Sequence, residues 1–265
     1  MTAKLLQYSV QYGNGTTRSS AKWATRAIFG YGIPSGTFTT AITNLVNNYG
    51  GVATDTTGVG TARHFLAAAG YGGDKAIFGF GRTGISGGQV STTNLVSNLG
   101  VVNADTTGVG STSYLLTAAG YGGDKAIFVF GTATTMNLVS NTGVVATDVS
   151  ISATYRFAAA AAGYGGDKAI VGFGYNSGAS AWSSLTNLIS NTGTVGSDVT
   201  GVGEPRNYLA AAGYGGDKAI FGYGSDNSSG LQTITNLVSN IGSLSSNVTG
   251  VGTARRALAA ASYSS

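Results

Sequence analysis

The string Gly-Tyr-Gly-Gly-Asp-Lys-Ala-Ile begins at Gly70, Gly120, Gly163 and Gly213, at intervals of 50, 43 and 50 residues. A repeat of about this length that contains several short strand-like runs is typical of propellers and related arrays. In each copy a small, apolar run precedes the string, and the residues that follow are β-branched or aromatic. The string therefore predicts a hairpin, and its recurrence predicts an array of similar sheets.

The second copy divides into four short runs, at residues 66–71, 75–81, 93–98 and 101–107. Gly73-Asp74 is suited to a two-residue hairpin turn, because both residues tolerate a positive φ. The runs are too short for helices and are separated by glycine. Each unit is therefore predicted to be a four-stranded antiparallel sheet.

Counting the runs gives five units. The Ala-Ile-Phe or Ala-Ile-Val run recurs at Ala27, Ala76, Ala126, Ala169 and Ala219, and the Asn-Leu run recurs at Asn44, Asn94, Asn137, Asn187 and Asn236. A last alanine run, residues 257–263, has no strand run after it, and the first Ala-Ile-Phe run has no alanine run before it. We therefore expect an all-β fold, a five-bladed β-propeller over residues 26–265. The C-terminal strand would close it by pairing with the N-terminal blade.

Composition limits the possible functions. Glycine is 44 of 265 residues and only 9% are charged, yet 42% are hydrophobic, which favours a packed core over disorder. The net charge of +4 comes from scattered residues without a basic stripe, so no nucleic-acid partner is expected. The absence of cysteine excludes disulfides and thiolate metal sites. No run approaches 18 apolar residues, so no membrane insertion is expected, and residues 1–14 do not read as a signal peptide.

Two features resemble the kelch-like repeat over roughly residues 24–265. An arginine leads into the small apolar first strand, and the second strand ends in a glycine pair, split here as in Gly79-Phe80-Gly81. The arginines are Arg63, Arg156, Arg206 and Arg255. The near-identical copies also resemble propeller repeats of phage-encoded proteins. This resemblance implies a virus or phage particle, or an extracellular surface, as the setting of the protein.

The sequence carries no catalytic signature. Residues 79–84 match the dinucleotide fingerprint by letter, but a strand rather than a helix is predicted after them. His64 is the single histidine, and its place in the other units holds Tyr114, Phe157, Asn207 and Arg256, which favours a packing or surface position. We therefore expect no enzymatic activity, no catalytic residue, no metal site and no cofactor.

Acidic residues also recur. Asp55, Asp148 and Asp198 each lie eight residues before an arginine of the repeat. We expect them either to form ion pairs between blades, Asp55 with Arg63, Asp148 with Arg156 and Asp198 with Arg206, or to anchor strand turns. The copying of the pair around the ring favours a structural role over a catalytic one.

The units differ mainly in the connection from second to third strand, at residues 33–41, 82–92, 132–135, 175–184 and 225–233. These connections should emerge on one face, and divergent loops on a rigid scaffold are how many binding surfaces are built. Unconstrained drift of the loops is the alternative. The candidate binding residues there are Phe38, Arg82, Tyr175, Trp182 and Asp226.

Residues 1–25 form a separate N-terminal extension with an alternating pattern from Leu5 to Tyr12, suited to an anchor strand that could mediate assembly. The sequence thus predicts a non-catalytic structural or binding propeller, a decoration or appendage of a virus particle that presents variable loops to a protein partner or surface glycan. The alternative is a lectin-like propeller with repeated carbohydrate sites between blades. An enzyme comes third.

Overall fold

The chain folds into β-structure throughout the residues that the computed structural model describes, namely 26–35, 38–47, 49–84, 86–227 and 230–262. In these ranges the strands form six small antiparallel sheets and no helix occurs. In chain order the strands are β1 (Ala27–Ser35), β2 (Phe38–Val46), β3 (Ala67–Tyr71), β4 (Lys75–Gly79), β5 (Thr93–Val96), β6 (Thr117–Tyr121), β7 (Lys125–Val129), β8 (Thr135–Val139), β9 (Val149–Ser150), β10 (Ala160–Tyr164), β11 (Lys168–Gly172), β12 (Tyr175–Asn176), β13 (Ala181–Trp182), β14 (Thr186–Ile189), β15 (Ala210–Tyr214), β16 (Lys218–Gly222) and β17 (Thr235–Val238). The predicted all-β class is confirmed.

Each repeat contributes one main sheet. Repeat 1 contains β1 and β2, repeat 2 contains β3–β5, repeat 3 contains β6–β9, repeat 4 contains β10–β14 and repeat 5 contains β15–β17. In repeats 2 to 5 the first strand pairs with the second and the second with the third, as the runs predicted. In repeat 4 the small β12–β13 hairpin occupies the connection between second and third strands.

The hairpin between first and second strands has a longer turn than predicted. Tyr71 pairs with Lys75, so the turn comprises three residues, and Gly72 (φ 62°) and Gly73 (φ 78°) both adopt left-handed conformations. The same conformations recur at the two equivalent glycines of repeats 3, 4 and 5. A side chain at either position would be strained, which explains why this Gly-Gly pair is retained in all four copies.

The fourth predicted strand is mostly irregular. In repeat 2, residues 101–107 pair with β5 through isolated bridges, Val96 with Val102 and Thr93 with Thr106, and among the described residues a fourth strand, β9, forms in repeat 3. A side chain also tethers the segment, because the Asn94 amide donates to Asn103 O (3.1 Å) and to Asp105 Oδ1 (2.9 Å). The four-stranded blade is therefore three strands plus a tethered segment.

The repeats pack in sequence order. An added Cβ on Gly120 would lie 3.7 Å from Gly70 O, and the same relation joins the equivalent glycines of repeats 3 and 4 and of repeats 4 and 5, so the first strands lie side by side. Four clusters of buried apolar residues fill the spaces between neighbouring sheets. Small residues on the first strands permit this close approach, and the core lies between the sheets.

The C-terminal alanine run occupies the fifth place in this series. Ala257 N donates to Tyr208 O (2.8 Å), and Ser262 Oγ donates to Gly213 O (2.9 Å). Residues 257–262 are not a strand, however, and in the described ranges β1 pairs only with β2. The predicted closing pair is therefore not formed between the described residues. The N-terminal extension, residues 1–25, lies outside those residues.

No helix long and apolar enough to cross a bilayer occurs in the described part of the chain.

Candidate functional site

Three arginines form the most deeply buried polar feature of the scaffold. Arg63, Arg156 and Arg206 are each 0% exposed, and each guanidinium lies 4.6–4.8 Å from the centre of an aromatic ring of the preceding repeat. Each Nη2 also donates at 2.6 Å to the Oδ1 of its own repeat's buried asparagine. These arginines therefore join adjacent repeats as structural clamps, in keeping with the role expected from the repeated sequence.

The acidic partner of two clamps, those of Arg63 and Arg156, differs from the predicted ion pairs. Arg63 Nη1 lies 3.5 Å from Asp105, and Arg156 Nη1 lies 3.6 Å from Asp198, rather than from the aspartates eight residues upstream. Asp105 also accepts from Thr61 N (3.0 Å) and Thr61 Oγ1 (2.6 Å). Burial opposes ionisation of this carboxyl, but the bonds from Thr61 and Asn94 outweigh it and hold the pKa of Asp105 below its usual range.

Burial lowers the pKa of Arg156 to about 10, although the nearby Asp198 opposes that shift. The pKa of Arg206 is likewise lowered to about 10 by burial. Both side chains remain cationic at neutral pH, because the lowered values still lie well above 7. A buried cation in this state is held by its hydrogen bonds and aromatic contact, and it cannot act as a proton acceptor there.

Backbone hydrogen bonds link the repeats at both ends of the first strands. At one end Leu115 N donates to Phe65 O (3.0 Å), and equivalent bonds continue to Ala257. At the other end Gly72 N donates to Asp124 O (2.6 Å), with equivalents in the next two repeats. We call the first end the loop face, because the connections between second and third strands lie there, and the second end the hairpin face. The scaffold is thus fastened on both faces.

Just beyond the end of the second strand on the loop face, repeats 2, 4 and 5 build the same backbone arrangement from different residues. Three residues lie opposite one another across short antiparallel bridges, and we call each set a loop-end triplet. The triplets are His64–Arg82–Gln89 in repeat 2, Phe157–Tyr175–Trp182 in repeat 4 and Asn207–Ser225–Leu231 in repeat 5. Their backbone bonds match: His64 N to Arg82 O, Phe157 N to Tyr175 O and Asn207 N to Ser225 O measure 3.0, 3.1 and 3.0 Å.

The chemistry of the three triplets differs completely. In repeat 2 the Arg82 guanidinium lies 4.8 Å from the centre of the Tyr114 ring, and Arg82 Nε donates to Gly87 O (3.3 Å). In repeat 5 Ser225 Oγ donates to Asn207 Oδ1 (2.8 Å). In repeat 4 all three members are aromatic. An invariant backbone therefore presents a cationic, a small polar and an aromatic group at equivalent places.

The triplet of repeat 4 is a compact aromatic layer. The ring centres of Phe157 and Tyr175 are 5.1 Å apart, and those of Tyr175 and Trp182 are also 5.1 Å apart with planes at 90°. Tyr155 adds a fourth ring, 6.2 Å from Phe157. All four side chains are half-buried, and the Trp182 Nε1 atom is buried without a hydrogen-bond partner. Rings held in this way offer apolar surface at little cost in side-chain entropy.

The five predicted binding residues fall into two groups. Arg82, Tyr175 and Trp182 belong to loop-end triplets, and Tyr175 and Trp182 are in contact. Phe38 is 77% exposed, but it begins β2 in a continuous β1–β2 hairpin, so the expected connection at residues 33–41 is largely strand. Asp226 accepts from Gly230 N (2.9 Å) and Gln232 Nε2 (2.6 Å) and shapes its own loop. The structure does not bring these five residues into one contact group.

Sequence reasoning missed the triplet partners on the first-strand side, Phe157 above all, and missed Tyr155. The available signal was the variation at the place of His64, Tyr114 and Phe157. In repeats 2, 4 and 5 this place faces the variable connection across a bridge.

His64 is 5% exposed, and its Nδ1 is buried without a partner. Burial lowers its pKa, and the charge of Arg82 adds to that effect, while the backbone bond with Arg82 opposes it. The side chain is therefore neutral near pH 7. It packs 4.5 Å from the Phe65 ring, which matches the packing position expected from the sequence.

A cavity of about 1680 Å³ lies between the first strands and extends to the open edge of β1. Its hairpin-face lining alternates in charge, since the lysine of each hairpin lies 2.8–3.3 Å from the preceding aspartate. Asn141 and Asn191 donate to Asp124 and Asp167 at 3.0 Å, which fixes those aspartates in place. On the hairpin face the charges of the repeated aspartates and lysines therefore neutralise one another.

In the described ranges, no three side chains of the metal-binding types cluster closely enough to hold an ion. Comparison with known proteins finds no matching family model and no matching curated protein. The resemblance to kelch-like and phage-encoded propeller repeats therefore stays a prediction, and functional arguments rest on the geometry described above.

Proposed function

We propose that this chain is a non-catalytic binding protein, a five-bladed propeller that uses its loop face to hold a partner. The single observation that carries the proposal is the loop-end triplet, in which one backbone arrangement presents three different chemistries. Where only the fold is at stake, most equivalent positions keep equivalent residues, as at Arg63, Arg156 and Arg206, although repeat 3 has Ser113 at that place. The triplets depart from that pattern: His64, Asn207 and Ser225 are buried, but the other six members are half-buried or exposed and can be reached by a partner.

Closure of the ring is part of this proposal. Ala257 and Ser262 already make the inter-repeat contacts that a fifth first strand requires. By alignment with the Gly70–Ala76 pair, Ser262 would lie opposite Ala27 on the unpaired edge of β1. Pairing there would satisfy backbone groups and remove an exposed edge that otherwise invites aggregation.

A structural role in a virus or phage particle is the setting we favour, and it rests on the likeness of the repeats to phage-encoded propellers. We likewise propose that the protein is not an enzyme. The support for this is that the buried cations are engaged as clamps and that the single histidine is enclosed by packing. The lectin-like alternative with repeated sites would use the spaces between blades, such as the 540 Å³ cavity beside Tyr121 and Asn191.

A loop graft tests the proposal. The bond from Phe130 N to Thr135 O corresponds to that from Phe173 N to Leu185 O, so residues 132–134 replace residues 175–184 without moving either strand. We expect the graft to abolish the interactions that the native protein shows on an array of glycans and peptides. The comparison variant changes Asp74, Asp124, Asp167 and Asp217 to Ser on the hairpin face, and it should bind almost normally. The opposite ranking would place the site on the hairpin face and refute the proposal.

A further inference from the structure

Aromatic rings form an extended row across the loop face of repeats 2 to 4. We call this the aromatic row, and its members are Phe65, Tyr114, Tyr155, Phe157, Tyr175 and Trp182. Phe65 and Tyr114 lie 6.3 Å apart between ring centres, and the rings from Tyr155 to Trp182 follow one another at 6.2, 5.1 and 5.1 Å. Phe65 is 45% exposed, and the other five side chains are half-buried.

A backbone bond sets the two halves of the row side by side. Ala158 N donates to Leu115 O (3.1 Å), so Phe157 and Tyr114, the residues that precede them, take neighbouring places in adjacent repeats. Burial raises the pKa of Tyr155, and a hydrogen bond with Ser177 opposes that increase. The row therefore continues from repeat 3 to repeat 4 and carries tyrosine hydroxyl groups beside its apolar ring faces. Such side chains suit a ligand that is apolar on one face and polar at its edges.

The fold does not need these rings. Repeat 5 builds the same triplet backbone with Asn207, Ser225 and Leu231, and repeat 2 has Ala62 in the place of Tyr155. Four aromatic side chains in repeat 4 are therefore surplus to the packing requirement. Half-exposed aromatic groups beyond that requirement are typical of recognition surfaces.

Charge narrows the ligand class. Among the described residues, Arg82 is the one cation in contact with the row, because its guanidinium stacks on the Tyr114 ring. The ten acidic residues all lie elsewhere in the sequence, in the hairpins, in the clamps and their equivalents, at Glu204 and at Asp226. A single-stranded nucleic acid needs a cationic groove beside its stacking platform, and the row lacks one. A nearly uncharged platform of this kind matches an uncharged polymer.

We propose that the aromatic row binds a neutral polysaccharide. The C–H faces of successive sugar rings would stack on the rings of Tyr155, Phe157 and Trp182, and sugar hydroxyls would exchange hydrogen bonds with Tyr155, Tyr175 and Ser177. This inference rests on the proposed function, and it names the ligand class of the same face. It places carbohydrate at one unique site, in contrast to repeated sites between blades.

Affinity electrophoresis tests the inference with defined probes. The full chain is run through native gels that contain hydroxyethylcellulose, laminarin, galactomannan, arabinoxylan or dextran, with alginate gels as the charged comparison. Oligo(dT) and a decaproline peptide are titrated separately. We expect retardation by at least one neutral polysaccharide, and no binding of oligo(dT) or decaproline through the row.

The variants copy residues that other repeats carry at the same places, so the fold should tolerate them. Tyr155→Ala copies Ala62 of repeat 2, and Trp182→Leu copies Leu231 of repeat 5. Each should weaken polysaccharide binding at least tenfold at an unchanged melting temperature. The control is Tyr49→Ala, which removes a 90% exposed ring outside the row and should change binding less than twofold.

The inference is overturned if no neutral polysaccharide retards the native protein, or if Tyr49→Ala weakens binding as much as Tyr155→Ala. Tight binding of decaproline that depends on Trp182 would assign the row to a peptide instead. In that case, or if the array interactions lost in the loop graft involve only peptides, the proposed function stands and only the ligand class is wrong.

Discussion

Replacement of Arg156 by Ala should destabilise the protein more than any other single arginine substitution in the repeats. Its guanidinium donates to Asn187 Oδ1 (2.6 Å), Phe173 O (2.9 Å) and Thr154 O (3.2 Å), and it lies 4.8 Å from the Phe130 ring centre. Arg63 and Arg206 are equally buried, but their Nε atoms lack partners. Arg156 therefore has the most complete set of bonds to lose.

The expected cost is about 3–5 kcal/mol, because removing one member of a buried ion pair leaves its partners uncompensated. For a domain of this size 1 kcal/mol corresponds to roughly 2–4 °C in melting temperature, so the loss should be about 6–20 °C. The matched control is Arg255→Ala. Arg255 is exposed and its guanidinium lies 4.0 Å from the Tyr223 ring centre. Among the described residues its side chain donates to Thr253 O alone. Its replacement should therefore lower the free energy of unfolding by about 0.5–1 kcal/mol.

Urea unfolding followed by tryptophan fluorescence measures both variants, with the slope of the transition checked against the native protein. Arg156→Lys serves as a third variant. It keeps the charge but cannot reproduce the planar fork, so it should fall between native protein and Arg156→Ala. If Arg156→Ala and Arg255→Ala differ by less than about 1 kcal/mol, the clamp does not hold the repeats together as described.

Two further predictions concern single sites in the scaffold. The pKa of His64 is lower in the folded chain than in the unfolded chain, so the unfolded chain takes up a proton first as the pH falls. The free energy of unfolding should therefore decrease as the pH drops below about 6.5. His64→Asn should reduce this pH dependence in urea titrations. A pH dependence equal to the native one would refute this role. An added Cβ at Gly79 would lie 2.7 Å from the buried Phe128 ring, so Gly79→Val should lower the free energy of unfolding by at least about 1–3 kcal/mol. Adding Phe128→Val to that variant should recover part of the loss. If the effects of the two substitutions on the free energy of unfolding simply add, the contact is contradicted.

The last of these pairs shows what a repeat sequence can predict. Gly79 faces Phe128 of the next repeat, whereas Val129, the equivalent of Gly79 in repeat 3, packs in a cluster with Val171 of repeat 4. A small residue thus faces a large one at the first contact, and two residues of medium size face each other at the second. The main strands, their order and the glycine-rich hairpins could be predicted because each depends on local residue types that recur four or five times.

Other features depend on side chains that meet only in the folded chain. The clamp pairs Arg63 with Asp105, a carboxylate that Asn94 and Thr61 orient, and the nearer aspartate in sequence, Asp55, is not its partner. The fourth run pairs with β5 through isolated bridges, although its residue types predicted a full strand.

The candidate site was only partly predictable. Variable connections identified Arg82, Tyr175 and Trp182, but their grouping required knowledge of the bridge to Phe157. Phe38 and Asp226 were selected by the same rule, and the structure places them outside the triplets, in a continuous hairpin and in an internal loop turn. Chemical type alone could not separate the residues of a triplet from those that shape a loop.

The central claim is that five repeats form one closed ring with a single loop face, and a disulfide across the proposed seam tests it most directly. The chain contains no cysteine, so Ala27→Cys with Ser262→Cys introduces the only pair. Residues directly opposite in an antiparallel pair have Cα atoms about 4.5–5.5 Å apart, within the range that a disulfide spans. We predict near-complete intramolecular oxidation in the folded monomer, detected by mass and by a shift on non-reducing gels. Free thiols, or disulfide-linked dimers in place of the monomer, would contradict closure of the ring.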